Sequence, residues 1–177
     1  RIDCNTEGSR LAQVLDVGQI LRDVLPSTTE VITPEKVGPK IKLPAGKMIL
    51  AADDSPLARS MIEKELKTLD VPYVMTHTGL EAWKRIQSIS DTAAAEGKTL
   101  HDKVALVLTD LEMPEMDGFT LTRNIKSDQR FKSVPVVIHS SLTGEANENH
   151  VKSVGADAFI AKFEAGELAE AIRKALA

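Results

Sequence analysis

The chain has 177 residues, a hydrophobic fraction of 42% and a formal net charge of −4. One full hydrophobic core fits this length, with a remainder too short for a second. The acidic balance, without any Lys/Arg-rich block, argues against nucleic-acid binding. No apolar run approaches the roughly 20 residues that span a bilayer, so no membrane insertion is predicted. Cys4 is the single cysteine, which excludes an internal disulfide and makes a reducing cytosol the expected compartment.

The first 25 residues are predicted to be the end of another domain. Residues 11–15 have the pattern of a strand, and Asp16 is placed to cap a helix. The apolar residues of that helix recur on one face over two turns before Pro26 ends it. A strand and a two-turn helix cannot fold alone. Because the sequence also opens with Arg1 rather than Met, we expect a fragment of something longer.

A proline-rich stretch separates this piece from the rest of the chain. Residues 26–46 contain four prolines among Ser, Thr, Lys and Gly, which predicts an extended, semi-stiff linker. From residue 47 to residue 177, strand and helix patterns alternate five times. The predicted strands are 48–52, 72–75, 104–108, 134–138 and 158–161; the predicted helices are 56–69, 80–89 with an extension beyond residue 90, 119–126, 145–154 and 166–176. Right-handed crossovers make this an α/β fold with a parallel sheet between helices.

The most informative stretch runs from Val104 to Gly118. Residues 104–108 are continuously apolar, as in a strand buried on both faces. The strand is expected to end at Thr109–Asp110, before a Met-Pro step. Asp110 is thereby predicted at the carboxyl end of a buried strand, which is the edge where open α/β sheets bind ligands.

Reactive side chains follow three other predicted strands as well. The full set is Asp53, Asp54, Asp110, Ser140 and Lys162. Two like charges 4 Å apart repel by about 4 kcal/mol at an effective dielectric near 20, and a hard divalent cation such as Mg²⁺ removes that cost. Lys162 can pair with a carboxylate or a phosphoryl oxygen, and Ser140 can donate a hydrogen bond to that oxygen. Together these groups are the parts of a phosphoryl acceptor, because such transfer needs mainly positioning and charge neutralisation.

The order of these residues, with Thr-Asp-Leu-Glu-Met-Pro-Glu-Met-Asp-Gly at 109–118, resembles a response-regulator receiver domain over about residues 47–177. The resemblance implies a five-stranded, doubly wound, flavodoxin-like sheet with strand order 2-1-3-4-5. The roles it implies are Asp110 as phosphoacceptor; Asp53, Asp54, Asp110 and the backbone carbonyl of Glu112 as Mg²⁺ ligands; Ser140 as switch hydroxyl; Lys162 as phosphoryl-binding ammonium; and Phe159 as switch aromatic. An ordinary buried strand residue is the alternative for Phe159.

The N-terminal piece carries a second resemblance. Residues 11–21 are similar to the last strand and helix of the CheW coupling fold, so residues 1–25 are interpreted as its C-terminal fragment. A CheW-like module followed by a receiver resembles the CheV family of chemotaxis adaptors, as do the polar insert at 90–103 and residues 136–142. This resemblance implies phosphorylation by a CheA-like histidine kinase, docking to chemoreceptors through the mostly missing CheW-like domain, and a cytoplasmic location at bacterial receptor arrays.

Two positions depart from the receiver pattern or bear on its chemistry. Phe163 follows Lys162, where receivers usually have proline after a cis peptide. A cis bond before a non-proline residue costs about 2.5–4 kcal/mol, so a trans or strained bond is predicted. Glu112 and Leu142 occupy positions that tune dephosphorylation in the family, which leaves the phosphoryl lifetime open.

Two alternative functions remain beside the leading interpretation of a signalling module that is not an enzyme. One is a receiver-fold docking module that is never phosphorylated, which Phe163 keeps open. The other is an Mg²⁺-dependent phosphatase with an aspartyl nucleophile. Such enzymes place a second Asp two residues after the nucleophile, where this chain has Glu112, and no substrate cap is evident.

The four histidines show no spacing suited to a metal site. A surface role or a satisfied role is expected for each of His77, His101, His139 and His150. His139 is of interest only because it precedes Ser140.

Overall fold

A parallel five-stranded sheet forms the centre of the molecule in a computed structural model that describes residues 38–141, 144–162 and 166–176. The strands are β1 (Met48–Ala52), β2 (Tyr73–Thr76), β3 (Val104–Asp110), β4 (Val136–Ser140) and β5 (Ala158–Ala161). Their order is β2-β1-β3-β4-β5, and every neighbouring pair is parallel. The predicted α/β fold and its strand order are confirmed.

Five helices lie within the described residues: four connect successive strands and the fifth follows β5. They are α1 (Pro56–Thr68), α2 (Gly79–Ala95), α3 (Gly118–Ser127), α4 (Glu145–Ser153) and α5 (Glu167–Leu176). Ser55 caps α1 by accepting a hydrogen bond from the Ala58 amide, and proline stands in the first turn. Helix α2 extends beyond residue 90, as predicted, and a 3-10 turn at Leu100–Asp102 leads into β3.

Alternate residues of each strand enter two separate hydrophobic layers. On one face of the sheet, residues such as Leu50 and Val107 pack against α2, α3 and α4. On the other face, residues such as Ile49 and Val137 pack against α1 and α5. All seven residues of β3 are buried, which agrees with a central strand covered on both sides.

Strand β3 ends at Asp110, as predicted, whereas the bounds of strand β4 differ from the predicted ones. Strand β4 begins at Val136 rather than at Val134, because Val134 belongs to a turn in which its amide donates to the Phe131 carbonyl. Proline at position 135 has no amide hydrogen to add to the ladder. At its other end, β4 includes residues 139 and 140, beyond the apolar run that ends at residue 138.

The segment before β1 contacts the domain that follows it. The Ile41 amide donates to the Leu69 carbonyl over 3.0 Å, and Ile41 and Leu43 pack against the layer formed with α1 and α5. Arg173 Nη2 donates to the Pro39 carbonyl over 2.6 Å. These residues fall in the predicted linker, so its last part lies against the domain that follows it.

Several sequence predictions concern residues outside those that the structure describes. They are the CheW-like fragment at 1–25, the linker up to residue 37, Leu142, and the bond between Lys162 and residue 163. Among the described helices, none combines the length and the apolar character that a membrane crossing requires.

Candidate functional site

The carboxyl edge of the sheet brings the predicted site residues together. Asp53 and Asp54 follow β1, Asp110 ends β3, Ser140 ends β4 and Lys162 follows β5. All of these except Asp53 line one cavity of about 600 Å³ at this edge. The parallel strand order explains the convergence, because the carboxyl ends of neighbouring parallel strands meet on one side of the sheet.

Three carboxylates share this edge with one ammonium. Asp53, Asp54 and Asp110 each offer an oxygen atom within 4.8 Å of the others. Asp53 and Asp110 are buried, whereas Asp54 is exposed. Lys162 Nζ lies 3.0 Å from Asp53 Oδ2 and 3.0 Å from Asp110 Oδ1. One positive charge therefore serves two buried carboxylates and leaves the cluster electronegative.

The ionisation of these groups reflects burial and a shortage of positive charge. Burial raises the pKa of Asp110 to about 6; repulsion from Asp53 adds to this and Lys162 opposes it. Burial also raises the pKa of Asp53, against the Ser55 amide and Lys162. At Lys162 burial disfavours the charge, yet the two carboxylates outweigh it and raise the pKa. An oxygen-only cluster of this kind suits a hard divalent cation such as Mg²⁺.

The loop between β3 and α3 is closed so tightly that only glycine fits at two positions. The Gly118 amide donates to the Leu111 carbonyl over 2.8 Å. A Cβ atom on Gly118 would lie 2.2 Å from the carbonyl oxygen of Asp110, and one on Gly79 would lie 2.0 Å from that of Met116. Glycine at position 118 is therefore a steric requirement for the backbone that carries Asp110.

Two further residues singled out in the sequence take different positions. Glu112 is exposed and lines the cavity beside Asp110. Phe159, in β5, is half-buried and packs against the layer formed with α2, α3 and α4. It is not among the residues that line the cavity.

His139 is the site residue that sequence reasoning underrated. It is 4% exposed, and its Nε2 lies 3.5 Å from Asp53 Oδ2. Within the described part of the chain, Nε2 has no hydrogen-bond partner, so the expectation of a surface or satisfied role is wrong for this histidine. The alternation of side chains along β4 could have indicated that residue 139 is buried. Residue 139 lies on the same side of the sheet as Val137, which packs against α1 and α5.

The other histidines lie away from the carboxylate cluster. His77 and His101 are exposed, and His77 Nδ1 is 3.5 Å from Glu81. His150, on α4, stacks on Phe119 with ring centroids 3.8 Å apart. Phe119 in turn lines the cavity.

The fold, with its cluster of carboxylates and lysine at the carboxyl edge of the sheet, is that of a two-component signalling module, and a family model agrees. Residues 49–173 match the response regulator receiver domain, so the chain belongs to that family. Its receiver domains bind Mg²⁺ at an acidic site, as the aspartate cluster here would allow.

Curated relatives include several chemotaxis proteins. The chain is 32% identical to chemotaxis protein CheV2 of Helicobacter pylori over 94% of this chain and 50% of that protein. It is 30% identical to chemotaxis protein CheY1 of the same organism over 64% of this chain and 83% of that protein. The chain spans about half the length of the first of these relatives.

Solved structures reproduce the same fold. A signal receiver domain of a histidine kinase from Syntrophus aciditrophicus has a TM-score of 0.60 and 26% identity, covering 73% of this chain and 89% of that chain. The receiver domain of a sensor histidine kinase from Pseudomonas aeruginosa has a TM-score of 0.60 and 21% identity, covering 75% of this chain and 98% of that one. That neighbour is described with a magnesium ion coordinated in its active site cleft.

Proposed function

We propose that this chain is the phosphoacceptor receiver of a chemotaxis signalling adaptor of the CheV type. One observation supports this most strongly: the Asp110 carboxylate lies at a cavity of about 600 Å³, 3.0 Å from the Lys162 ammonium and beside two more carboxylates. A nucleophile, a countercharge and a place for a divalent cation are the requirements of phosphoryl transfer to a carboxylate.

Each residue of the cluster has a distinct role in this proposal. Asp53, Asp54, Asp110 and the backbone carbonyl of Glu112 hold Mg²⁺, and the ion, when bound, supplies charge neutralisation for the transferring group. The exposed side of the cluster, at Asp54, provides entry from the cavity.

The chemical step is an in-line displacement at phosphorus. A carboxylate oxygen of Asp110 attacks the phosphoryl group of a phosphorylated histidine on the kinase. The new O–P bond forms as the P–N bond breaks, and the electron pair returns to the imidazole nitrogen. Lys162 already contacts Asp110 and stabilises the added negative charge.

The resulting acyl phosphate is the signal. The Ser140 hydroxyl, at the end of β4 and on the cavity wall, is placed to donate to a phosphoryl oxygen. Its inward movement would leave space for Phe159 to reorient, shifting an existing equilibrium of the surface around α4 and β5. This mechanism makes the domain a switch that assists its own phosphorylation and dephosphorylation, rather than a turnover enzyme.

The partners follow from the CheV-type resemblance. We infer a CheA-like histidine kinase as the phosphoryl donor and chemoreceptors as the docking target of the CheW-like domain whose end is residues 1–25. The linker at 26–46 would join that domain to the receiver. A cytoplasmic location at bacterial chemoreceptor arrays is part of the same proposal.

The experiment is phosphorylation by acetyl phosphate, followed by intact-mass measurement with and without Mg²⁺. We expect an Mg²⁺-dependent gain of one phosphoryl group in the wild type, none in Asp110→Asn, and an unchanged gain in Asp91→Asn, which alters an exposed aspartate on α2. No gain under any condition would indicate a docking module instead. Sustained hydrolysis of an ordinary phosphomonoester would indicate a phosphatase.

A further inference from the structure

The buried histidine His139 lies beside Asp53, the carboxylate of the cluster that does not line the cavity. His139 Nε2 and Asp53 Oδ2 are 3.5 Å apart, and the two side chains are 5% and 0% exposed. In the described ranges, these are the two buried side-chain polar atoms that no hydrogen bond satisfies. A buried polar atom without a hydrogen-bond partner has lost its hydration without compensation, which is unfavourable. The two atoms are close enough to relieve that cost together after a small adjustment.

The surroundings of Asp53 single out this pairing. Its other oxygen, Oδ1, already accepts a hydrogen bond of 2.8 Å from the Ser55 amide. Lys162 Nζ lies 3.0 Å from Oδ2 and neutralises it as an ion pair, but not along a hydrogen-bond direction. The open hydrogen-bonding position on Oδ2 therefore remains for His139.

The imidazole of His139 can supply a donor of the required kind. A neutral imidazole has one N–H group, and its position is set by the partner that the ring finds. A carboxylate oxygen beside Nε2 favours the tautomer that carries hydrogen on Nε2.

We propose that His139 is a positioning residue for the metal site, whose Nε2–H donates to Asp53 Oδ2 and fixes the orientation of that carboxylate toward the cation. The role toward the cation rests on the proposed function, which includes the Mg²⁺ site, whereas the hydrogen bond between His139 and Asp53 does not. Hydrogen bonds to ligating groups fix their orientation in metal sites generally. When a phosphoryl group on Asp110 draws Lys162 away, His139 remains as the partner of Asp53.

The first test is calorimetric titration of the 177-residue chain with Mg²⁺. His139→Met removes the donor at similar volume and is expected to weaken Mg²⁺ binding about 10-fold or more, the usual effect of losing such a hydrogen bond. His139→Gln retains a terminal N–H donor and should recover most of the affinity. His77→Gln, at an exposed histidine, should leave the affinity unchanged. Equal affinities in wild type and His139→Met would overturn the role toward the metal.

The second test does not depend on the metal. In Mg²⁺-free protein labelled with ¹⁵N at histidine, the imidazole nitrogen shifts should report hydrogen on Nε2 of residue 139. Hydrogen on Nδ1 instead would overturn the pairing with Asp53, and this reading stands even if His139→Met fails to fold. A wild type that binds no Mg²⁺ yet shows the Nε2–H form would reject the proposed metal site while leaving the pairing in place.

Discussion

The described part of the molecule has two buried acidic sites in which the carboxyl pKa values are raised, but the two sites differ in their hydrogen-bond partners and neighbouring charges. Asp53 and Asp110 lie at the carboxyl edge of the sheet, and Glu65 lies in α1, 6% exposed, against the start of α5. Burial raises the pKa of all three carboxyl groups. Glu65, however, accepts hydrogen bonds from the amides of Gly166 and Ala169 at 3.2 and 3.3 Å.

The difference separates a structural carboxylate from the carboxylates that we propose to be reactive. Glu65 acts as an N-terminal cap for α5, supplied from another helix, and its main neighbours are backbone donors. Asp53 and Asp110 instead repel one another, share one ammonium and adjoin a cavity. A raised pKa alone therefore marks burial, whereas crowding of like charge beside open space marks a site for a cation or phosphoryl group.

The largest expected effect comes from removing the structural carboxylate. Glu65→Ala leaves two amides at the start of α5 without their partner and opens a small cavity. We expect the free energy of unfolding to fall by about 2–4 kcal/mol. Urea denaturation measures this, with Glu63→Ala on the same helix as the control, where about 0.5 kcal/mol or less is expected. Equal losses in both variants would refute the capping role.

The reactive carboxylate should behave in the opposite way. Because the pKa of Asp110 is raised to about 6 from 3.8, its ionised form destabilises the native state above that range. Asp110→Asn should therefore raise the free energy of unfolding by about 1–3 kcal/mol at pH 7 in EDTA. The gain should vanish as the pH falls through 6 toward 4, where wild-type Asp110 becomes protonated. A loss of stability at pH 7 would show that repulsion is not the dominant interaction at this edge.

The tight loop beside Asp110 offers a third test. In Gly118→Ala the new Cβ meets the Asp110 carbonyl, so the loop must shift. We expect about 1–3 kcal/mol of destabilisation and slower phosphoryl gain from acetyl phosphate. Gly97→Ala is the control: that glycine has a φ of +73° but no atom within 4 Å of the added Cβ. Its cost of about 1 kcal/mol should leave phosphorylation unchanged.

The smallest expected effect is a change with pH in the stability of Glu65→Gln relative to wild type. The raised pKa of Glu65 means that its ionisation opposes folding, so wild-type stability should fall as pH rises above 4.5. Glu65→Gln keeps an oxygen acceptor and removes this titration. Its stability relative to wild type should increase between pH 4.5 and 7, measured by thermal unfolding across that range. A constant difference between the two proteins would contradict the assignment.

Local patterns were sufficient for much of the architecture. The bounds of β1 and β5 and the extension of α2 beyond residue 90 agree with the predictions, because alternation and apolar runs are local properties. The start of β4 was predicted two residues early, because a short apolar run does not show where pairing begins. The Phe131–Val134 turn decided that boundary.

By itself, the sequence determined which side chains stand at the strand ends, and therefore the nature of the site. Only the tertiary structure decided which partner each group meets. His139 contacts Asp53 at the sheet edge, although β3 lies between their two strands. Glu65 caps a helix more than 100 residues away in the sequence. The physical reason is that hydrogen bonds and ion pairs act over about 3 Å, whereas sequence patterns report only the periodicity of burial along one element.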